Sequence, residues 1–348
     1  MKTTIGDVAR EAGVSIATVS RVLNNNYPVH KDTRTRVEQA IQKLRFTPNA
    51  LARGLISKQT NTIGVLVPSI TNMFFTTVVS GLQDYLRENG FHILLCDTGG
   101  QAESELSHIR SLQEKLVDGI ISIDPRTANL QSGAYERIGQ ETPLVLVNGY
   151  HAGINLNFVM NDQESGSREA LQYLVGLGHR NIAFLRGRHS YSYDIKEDVY
   201  RRVLGGHQIP IKEDNIISIE QGNSIETIDL AREAFASYLR QYKGKAECCT
   251  AVFCCNDWMA TGALYAAQTN GKVVPQDLSI IGYDNIIIAE MTMPKLTTVD
   301  QNMRRLGRVA AEQLYRLMRE PDPDTGYMKI ILDTRLVARD SCGYCASK

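Results

Sequence analysis

Near the N-terminus, apolar residues recur every three or four positions, which is the spacing of an amphipathic helix. The segment VSIATVSRVLN, residues 14–24, opens close to Ser15, whose hydroxyl oxygen suits an N-cap. Its apolar positions predict an inward face made of Val19, Val22 and Leu23. The opposite face is left for solvent or a partner, and it holds Ile16, Ala17, Ser20, Arg21 and Asn24.

A second short helix is predicted just upstream, in TTIGDVAREAG, residues 3–13. Thr4 can cap this helix, and Asp7 three residues later gives a weak variant of the capping box. Gly13 then allows a sharp turn, and a third helix is predicted over residues 32–44. Two short helices joined by a glycine-containing turn are typical of helix-turn-helix domains, whose second helix enters the major groove of DNA. An ordinary three-helix mini-domain would show the same pattern.

Beyond residue 60, the pattern changes to short continuous apolar runs that alternate with helix-like stretches. The runs include TIGVLVP, FHILLCD, GIISID and PLVLVN, and after residue 179 the alternation starts again with NIAFLRG, NIISIE, TAVFCCND and LSIIGYDN. Such runs are typical of parallel sheets covered on both faces. The sequence therefore predicts a small all-α helix-turn-helix head and an α/β body of two doubly wound parallel-sheet subdomains. Ligands bind beyond the carboxyl ends of parallel strands, which predicts a small-molecule site in the cleft between the subdomains.

Charge divides the chain at about the same point. Residues 1–60 carry ten Lys and Arg but only four Asp and Glu, a net charge of +6. The 348-residue chain is neutral, so the remainder carries −6. A basic head on an acidic body is the asymmetry expected of a nucleic-acid-binding arm on a soluble domain.

Composition excludes several other classes. No run of 18 apolar residues occurs and the N-terminus lacks the apolar core of a signal peptide, so we expect a cytoplasmic protein without a membrane partner. The seven cysteines are expected to be reduced thiols in that compartment. CGYC, residues 342–345, has the spacing of a redox or zinc half-site but lacks a second ligand pair, so no metal or cofactor is predicted. The thiols of CCND, residues 254–257, have no obvious partner histidine, and an enzyme is not expected.

Taken together, the motifs resemble those of the lac repressor / galactose repressor family of bacterial transcription regulators over essentially the full chain. The resemblance rests on TIGDVAREAGVSIATVSRVLN, TRTRVEQAIQKLRFTPNALARGL, VDGIISI, GHRNIAFLRG, TAVFCCNDWMATGAL, VPQDLSIIGYDN and PKLTTVDQ. It implies a helix-turn-helix head, a hinge helix and a two-subdomain body like that of type I periplasmic sugar-binding proteins. The implied boundaries are 1–48 for the head, 49–60 for the hinge and linker, 61–161 with 295–326 for the N-terminal subdomain, 162–292 with 327–341 for the C-terminal subdomain, and 342–348 for a tail.

For the head, the resemblance implies that Ile16 and Ala17 present apolar surface to base edges and that Arg21 contacts a guanine. The other DNA contacts that it implies are mostly to phosphates, and they are made by Thr4, Ser15, Thr18, Ser20, Asn24 and Arg53. PNALARGL, residues 48–55, matches the hinge, and Leu55 matches the residue that wedges into the minor groove. A plain linker whose leucine packs on the body is the alternative.

For the body, the resemblance implies an effector site at the strand ends. The implied effector-binding residues are Phe74, Phe75, Asn148, Lys196, Asn256 and Asp284. Phe74 and Phe75 would look the same if they were ordinary core aromatics at a helix start. Lys196 stands where many family members have an arginine that grips the effector, and lysine is a point charge without the planar fork of arginine. We therefore expect an effector different from that of any well-known member.

The predicted function is that of a ligand-responsive repressor of a carbohydrate-utilisation operon, gated by a sugar or sugar derivative. The second possibility is a global catabolite-type regulator with a phosphoprotein corepressor, because the head resembles that group. A sugar-transport protein would share the body, but it would need a signal peptide and has no use for residues 1–58. The expected partners are palindromic double-stranded operator DNA, the effector and a second copy of the chain. The tail SCGYCASK cannot form a coiled coil, which favours a dimer over a tetramer.

Overall fold

The computed structural model of the chain describes residues 3–24, 27–46, 59–149, 153–188, 190–245, 247–319 and 326–345. Two units can be distinguished, residues 1–60 and residues 61–348, and each has its own buried apolar residues. Among the helices of these described ranges, none is long and apolar enough to cross a membrane.

Three helices form the first unit: α1 (Ile5–Ala12), α2 (Ile16–Asn24) and α3 (Lys31–Lys43). Their apolar faces meet in a small core, as the helical spacing predicted. The buried members of this core are Val8, Ala9, Ala12, Val19, Val22, Val37 and Ala40. Leu23, predicted to face inward, is partly buried at the edge of the same core.

Caps explain where α1 and α2 begin and where α1 ends. Thr4 Oγ1 accepts from the Asp7 amide at 3.3 Å, and the Asp7 carboxylate accepts from the Thr4 amide at 2.9 Å, so the predicted capping box is complete. The hydrogen bonds from Thr4 hold the pKa of Asp7 below its usual value. Gly13 ends α1 in the left-handed region at φ 63°, which glycine adopts without steric cost. Ser15 begins α2 by accepting from the Thr18 amide at 3.1 Å.

The second unit alternates strands and helices, as the apolar runs predicted. Its described strands are β1 (Thr62–Val67), β2 (His92–Asp97), β3 (Gly119–Ile123), β4 (Leu144–Val147), β5 (Asn157–Asn161), β6 (Ile182–Gly187), β7 (Ile216–Ile219), β8 (Ala251–Cys254), β9 (Ser279–Ile281), β10 (Thr298–Asp300), β11 (Lys329–Leu332) and β12 (Arg335–Val337). Its described helices are α4 (Met73–Glu88), α5 (Ala102–Glu114), α6 (Thr127–Gln131), α7 (Ala134–Glu141), α8 (Gln163–Gly176), α9 (Tyr191–Gly206), α10 (Thr227–Gln241), α11 (Asp257–Thr269), α12 (Ile288–Met291) and α13 (Met303–Arg319), with a 3₁₀ turn at Glu213–Asn215.

Six strands form one parallel sheet in the order β11-β5-β4-β3-β1-β2. Side chains of α4 and α13 cluster with one set of its buried residues, and side chains of α5, α6 and α7 cluster with the other set. Alternate residues of a strand point to opposite faces, so both faces of the central strands are covered, whereas the edge strands β2 and β11 are largely exposed.

Helices α4 and α13 pack very closely because each presents a glycine to the backbone of the other. A Cβ atom added to Gly81 would lie 2.1 Å from the carbonyl oxygen of Arg304. A Cβ atom added to Gly307 would lie 2.1 Å from the carbonyl oxygen of Val78. No side chain fits at either position unless the two helices move apart.

Four strands form the second parallel sheet in the order β7-β6-β8-β9, and β10 and β12 form a separate antiparallel pair. The helix pairs α8/α9 and α10/α11 pack together and against this sheet. The predicted fold class, a helix-turn-helix head with an α/β body of two parallel sheets, is confirmed.

Strand β11 belongs to a different half of the second unit from the one that the predicted boundaries gave it. Residues 327–341 were assigned to the C-terminal subdomain, but β11 pairs in parallel with β5 inside the six-stranded sheet. For residues 329–332 that assignment was wrong, because KIIL is an apolar run that would suit an edge of either parallel sheet. The chain joins the other half only afterwards, where β12 pairs with β10. Residues 295–300, predicted in the N-terminal subdomain, also lie with that other half, because Leu296 and Val299 belong to its core and Thr297 and Asp300 form bridges with Ile281 and Asp284. The remaining boundaries stay predictions.

Candidate functional site

The outward face of α2 carries the residues predicted to contact DNA bases. Ile16 is 54% exposed, and Ala17 and Arg21 are exposed as well. The guanidinium carbon of Arg21 lies 5.7 Å from the centre of the Tyr27 ring. The helix therefore offers apolar surface at its start and a cation near its end, which complement a thymine methyl and the acceptor edge of a guanine.

Three of the predicted phosphate contacts belong to the caps of α1 and α2. Ser15 Oγ and Thr18 Oγ1 lie 2.9 Å apart, and Thr4 Oγ1 donates to Asp7 at 2.7 Å. These hydroxyl groups therefore fix the ends of the helices. A phosphate contact would have to share them with the caps.

The other predicted DNA contacts lie partly outside the described residues. Ser20 is half-buried on α2. The side chain of Asn24 and the whole hinge, residues 48–55 with Arg53 and Leu55, lie outside the described residues. The roles assigned to them stay predictions.

In the second unit, a cavity lies where the carboxyl ends of strands from the two parallel sheets meet. All six residues predicted to bind an effector line it, namely Phe74, Phe75, Asn148, Lys196, Asn256 and Asp284. Other residues that line it also follow strands closely in the sequence, and they include Asp124, Gln163, Ser192, Tyr193, Asn223, Cys255 and Gln301. The cavity is therefore built by strand ends from both sheets, as the rule for open parallel sheets requires.

Three polar residues of the cavity have a positive φ angle. Asp124 follows β3 at φ 49°, Asn148 follows β4 at φ 59°, and Asp284 follows β9 at φ 112°. Aspartate and asparagine adopt the left-handed region near φ 50–60° more readily than other side chains, whereas the φ of 112° at Asp284 is rare outside glycine and costs about 1–3 kcal/mol. Such backbone strain clusters at ligand sites, where the surrounding structure fixes the direction of a side chain.

Lys196 is the buried cation of the cavity. Its side chain is 2% exposed, and its ammonium group donates to Ser192 Oγ at 2.7 Å. The ammonium nitrogen also lies 4.1 Å from the centre of the Tyr283 ring, within the range of a cation–π interaction. Burial lowers the pKa of Lys196, whereas the carboxylates of Asp284 and Asp124 act in the opposite direction.

Asp284 is a buried carboxyl group of the cavity, and its charge is opposite to that of Lys196. Gln301 Nε2 donates to Asp284 Oδ1 at 2.5 Å, and Gln301 Oε1 accepts from Asn161 Nδ2 at 3.0 Å. Burial raises the pKa of Asp284 to about 7, although Lys196 and the hydrogen bond from Gln301 oppose the shift. The group is therefore poised to change its charge near neutral pH.

Phe74 and Phe75 form the aromatic wall. Their rings lie edge to face, with centres 5.4 Å apart. The wall is held at the first turn of α4, where Asn72 Oδ1 accepts from the Phe74 amide at 2.9 Å as the N-cap. Both phenylalanines are core residues and cavity residues at once, so the two interpretations of them are compatible.

Asn256 lines the cavity, but its amide is largely engaged within the protein. Its Oδ1 atom caps α11 by accepting from the Met259 amide at 2.9 Å. Its Nδ2 atom donates to the Gly222 carbonyl oxygen at 2.8 Å. One N–H group and one lone pair of the amide are left for an effector. Asn256 also fixes the end of β8 against the loop after β7.

Metal and thiol chemistry find little support at this site. Within the described ranges, no group of three or more His, Cys, Asp and Glu residues is placed to hold a metal ion. None of the seven cysteines forms a disulfide bond. Cys255 lines the cavity, and burial raises its pKa to about 12, which leaves it a protonated thiol of low reactivity at neutral pH.

Comparison with known proteins identifies both units. Residues 4–49 match the model of bacterial regulatory proteins of the lacI family, and residues 171–342 match that of the periplasmic binding protein-like domain. The HTH-type transcriptional repressor PurR of Vibrio parahaemolyticus is 36% identical over 324 residues, which are 92% of this chain and 93% of that protein. The chain belongs to the lacI family of bacterial regulators.

Other members support the same assignment. Catabolite control protein A of Priestia megaterium is 35% identical over 95% of this chain and 97% of its own. The lac repressor dimer bound to operator and the anti-inducer ONPF superposes with a TM-score of 0.85 at 27% identity, covering 98% of this chain and 99% of the repressor chain. The transcriptional regulator CelR in complex with cellobiose superposes with a TM-score of 0.71 at 27% identity, covering 98% and 100%. As a lacI-family member, the chain is a DNA-binding transcriptional repressor and not an enzyme.

Sequence reasoning missed several cavity residues of this lacI-family regulator, among them Asp124, Gln163 and Gln301. Asp124 follows β3 directly, so the rule that ligands lie beyond strand ends would have found it. Gln163 is 5% exposed and its Oε1 atom has no hydrogen-bond partner among the described residues. Gln163 and Gln301 also lie just beyond a strand, after β5 and β10, so the same rule about strand ends points to them.

Proposed function

We propose that this lacI-family regulator represses a carbohydrate-utilisation operon and that a neutral sugar, bound in the cavity, sets its affinity for the operator. The observation that carries this proposal is the set of polar groups in the cavity with unused hydrogen-bonding capacity. These groups come from both halves of the second unit, and a ligand that satisfied them would hold the halves together.

The unused groups include donors and acceptors. The Lys196 ammonium has three N–H groups, and among the described residues it makes one hydrogen bond, to Ser192. Gln163 Oε1 is a buried acceptor for which the described part of the chain provides no donor. Asp124 and Asp284 supply carboxylates that only accept. A sugar hydroxyl both donates and accepts, so a row of hydroxyls can accept from Lys196 and donate to the acids in one pose.

The charge balance favours a neutral ligand. Among the described residues, the cavity is lined by two carboxylates and one ammonium group, and the ammonium is already attracted by both acids. A sugar phosphate would add negative charge beside Asp124 and Asp284, and a buried like charge is costly. The rings of Phe74 and Phe75 provide an apolar surface against which the C–H face of a sugar ring can pack. CelR, a structural relative, binds cellobiose, which agrees with this ligand class.

The proposed coupling to DNA uses the cleft. A sugar that contacts both halves binds the closed cleft better than the open one. It shifts the equilibrium between open and closed cleft by no more than the difference between its binding free energies for the two forms. In a homodimer, closure would change the spacing of the two heads and hinges. The proposed DNA target is a near-palindromic operator, because a two-fold dimer presents two identical recognition helices.

The experiment is a thermal-shift screen of neutral sugars and their phosphates, followed by calorimetry of the best ligand, since a ligand stabilises the folded protein by mass action. Asp284→Ala should weaken binding at least tenfold, whereas Asp229→Ala, which removes an exposed carboxylate of α10, should leave binding unchanged. Equal affinity in Asp284→Ala and the wild type would place the ligand outside this cavity. Preference for a sugar phosphate would refute the charge argument.

The alternative is a global catabolite-type regulator with a phosphoprotein corepressor. It is favoured by the 35% identity to catabolite control protein A. Under this alternative, no sugar of the screen would raise the melting temperature of the protein.

A further inference from the structure

The single tryptophan of the chain, Trp258, belongs to one half of the second unit but is buried in the core of the other. It lies in the first turn of α11, which packs with the four-stranded sheet. Yet its side chain, 6% exposed, is part of the apolar cluster that includes Phe75 and Val78 of α4 and Leu306 of α13. The indole therefore crosses from one wall of the effector cavity to the other.

A hydrogen bond fixes the indole to the aromatic wall. Trp258 Nε1 donates to Asn72 Oδ1 at 3.4 Å, and the same oxygen accepts from the Phe74 amide. Asn72 is 2% exposed and lines the cavity together with Phe74. The indole thus contacts the residue that sets the first turn of α4.

Within the half that contains α11, hydrogen bonds connect the residue before Trp258 to the loop that carries Asp284. The neighbouring residue, Asp257, accepts from the Ile286 amide at 2.9 Å and from Thr298 Oγ1 at 2.6 Å. These hydrogen bonds hold the segment that follows Asp284, together with β10, to the start of α11. A displacement of Trp258 relative to α4 would therefore move Asp284 relative to Phe74.

We propose that Trp258 is a positioning residue that stabilises the closed cleft by joining the two walls of the effector cavity through Asn72. It does not line the cavity, so it acts through the geometry of the walls and not by touching the ligand. This inference rests on the proposed function in one respect, namely that a sugar binds between these walls. Opening the cleft would require the indole to leave the apolar cluster and lose its hydrogen bond.

The first test measures sugar dissociation by stopped flow, with the sugar that gives the largest thermal shift in the screen. Trp258→Phe keeps an aromatic ring but lacks the N–H donor and leaves a gap, and we expect its dissociation rate to rise about five- to tenfold with little change in the association rate. Asn72→Ser retains an N-cap for α4, but its shorter side chain cannot reach the indole, and it should accelerate dissociation similarly. The double variant should be no worse than the poorer single variant, because both remove one shared contact.

The matched control is Tyr265→Phe, on the same helix but 46% exposed, which should leave both rates unchanged. A purely structural defect would lower the fraction of protein that binds sugar without changing the dissociation rate. An unchanged dissociation rate in Trp258→Phe, or effects of the two single variants that add, would overturn the proposal.

A second test needs no sugar, so that it stands if the proposed function fails. Because Trp258 is the sole tryptophan, the tryptophan fluorescence of the chain comes from it. Quenching by acrylamide should be stronger in Asn72→Ser than in the wild type, since the indole is released from the wall. Equal quenching in the two proteins would show that Asn72 does not hold the indole.

Discussion

At the scale of single residues, the site is defined by groups held in energetically costly states. Asp284 is a buried carboxyl whose pKa is raised to about 7, and Lys196 is a buried amine whose pKa is lowered. Both shifts have burial as their main cause, which means that the fold bears a cost for keeping them in place. A ligand that accepts from the ammonium and donates to the carboxylate offsets that cost, and this is the physical basis for an affinity that depends on proton binding.

The pH dependence follows from the sign of the shift at Asp284. A hydroxyl that donates to Asp284 requires the ionised form, so sugar affinity should increase by up to about tenfold between pH 6 and pH 8 and then level off. Folding responds in the opposite sense: because the pKa is raised in the folded state, the contribution of Asp284 to stability is fully present below pH 4 and is lost as the pH rises through 7. Calorimetry across this range checks the binding prediction, and Asp284→Asn should flatten the profile. A wild-type profile without slope would mean that Asp284 does not accept from the ligand.

Arg21 is the residue on α2 from which we expect sequence specificity. Arg21→Ala should cost roughly 1–3 kcal/mol of operator affinity and relax the preference at one guanine position. Arg21→Lys is the informative comparison, since it keeps the charge but loses the bidentate geometry. Binding assays on operators substituted at single positions measure both effects. If base preference survives Arg21→Ala, the recognition surface lies elsewhere.

At the scale of elements, the contact between α4 and α13 determines how α4 is seated. Two glycines allow these helices to touch backbone to backbone, and α4 carries the aromatic wall of the cavity at its first turn. The position of the wall thus depends on residues far along the same helix.

Gly307→Ala tests this dependence. The added methyl group would meet the Val78 carbonyl oxygen at 2.1 Å, so the helices must separate, and we expect a loss of stability of about 1–3 kcal/mol in urea unfolding. Gly205→Ala is the matched control: it lies near the end of α9 with no atom close to the new methyl group, and it should be neutral or stabilising. Equal stabilities in the two variants would contradict the close packing.

How far the sequence predicts these elements depends on the range of the interactions that form them. The beginnings of α1 and α2 were predictable because Thr4, Asp7 and Ser15 act within one helical turn. The pairing of β11 with β5 was not, since it joins residues about 170 positions apart in the sequence and an apolar run fits either sheet. The cavity divides in the same way. Asp124 and Gln163 both follow a strand end and could have been found by that rule, but which strand ends meet at one cavity is decided by the tertiary fold.

At the scale of the whole molecule, a sugar and an operator would both act on the equilibrium between the open and the closed cleft. Each would therefore strengthen or weaken the binding of the other. Linkage requires that the factor by which the operator changes sugar affinity equals the factor by which the sugar changes operator affinity. We expect a factor between about 5 and 150, the usual range of such coupling. Sugar calorimetry with and without operator gives one factor and DNA binding with and without sugar gives the other. Equal sugar affinities with and without operator would mean that the cavity binds a ligand without regulating DNA binding.

The positive φ angles of Asp124, Asn148 and Asp284 also limit how this regulator can evolve. Aspartate, asparagine and glycine tolerate such backbone angles, whereas β-branched and bulky residues do not. Mutation at these three places can therefore exchange a carboxylate for an amide or remove the side chain, but it cannot readily install an apolar or long one. A change of ligand toward a less polar molecule would have to come from positions with ordinary backbone angles, such as Phe74, Phe75 and Lys196. The backbone thereby restricts these three positions to short polar groups or glycine, while positions with ordinary backbone angles are free to diverge.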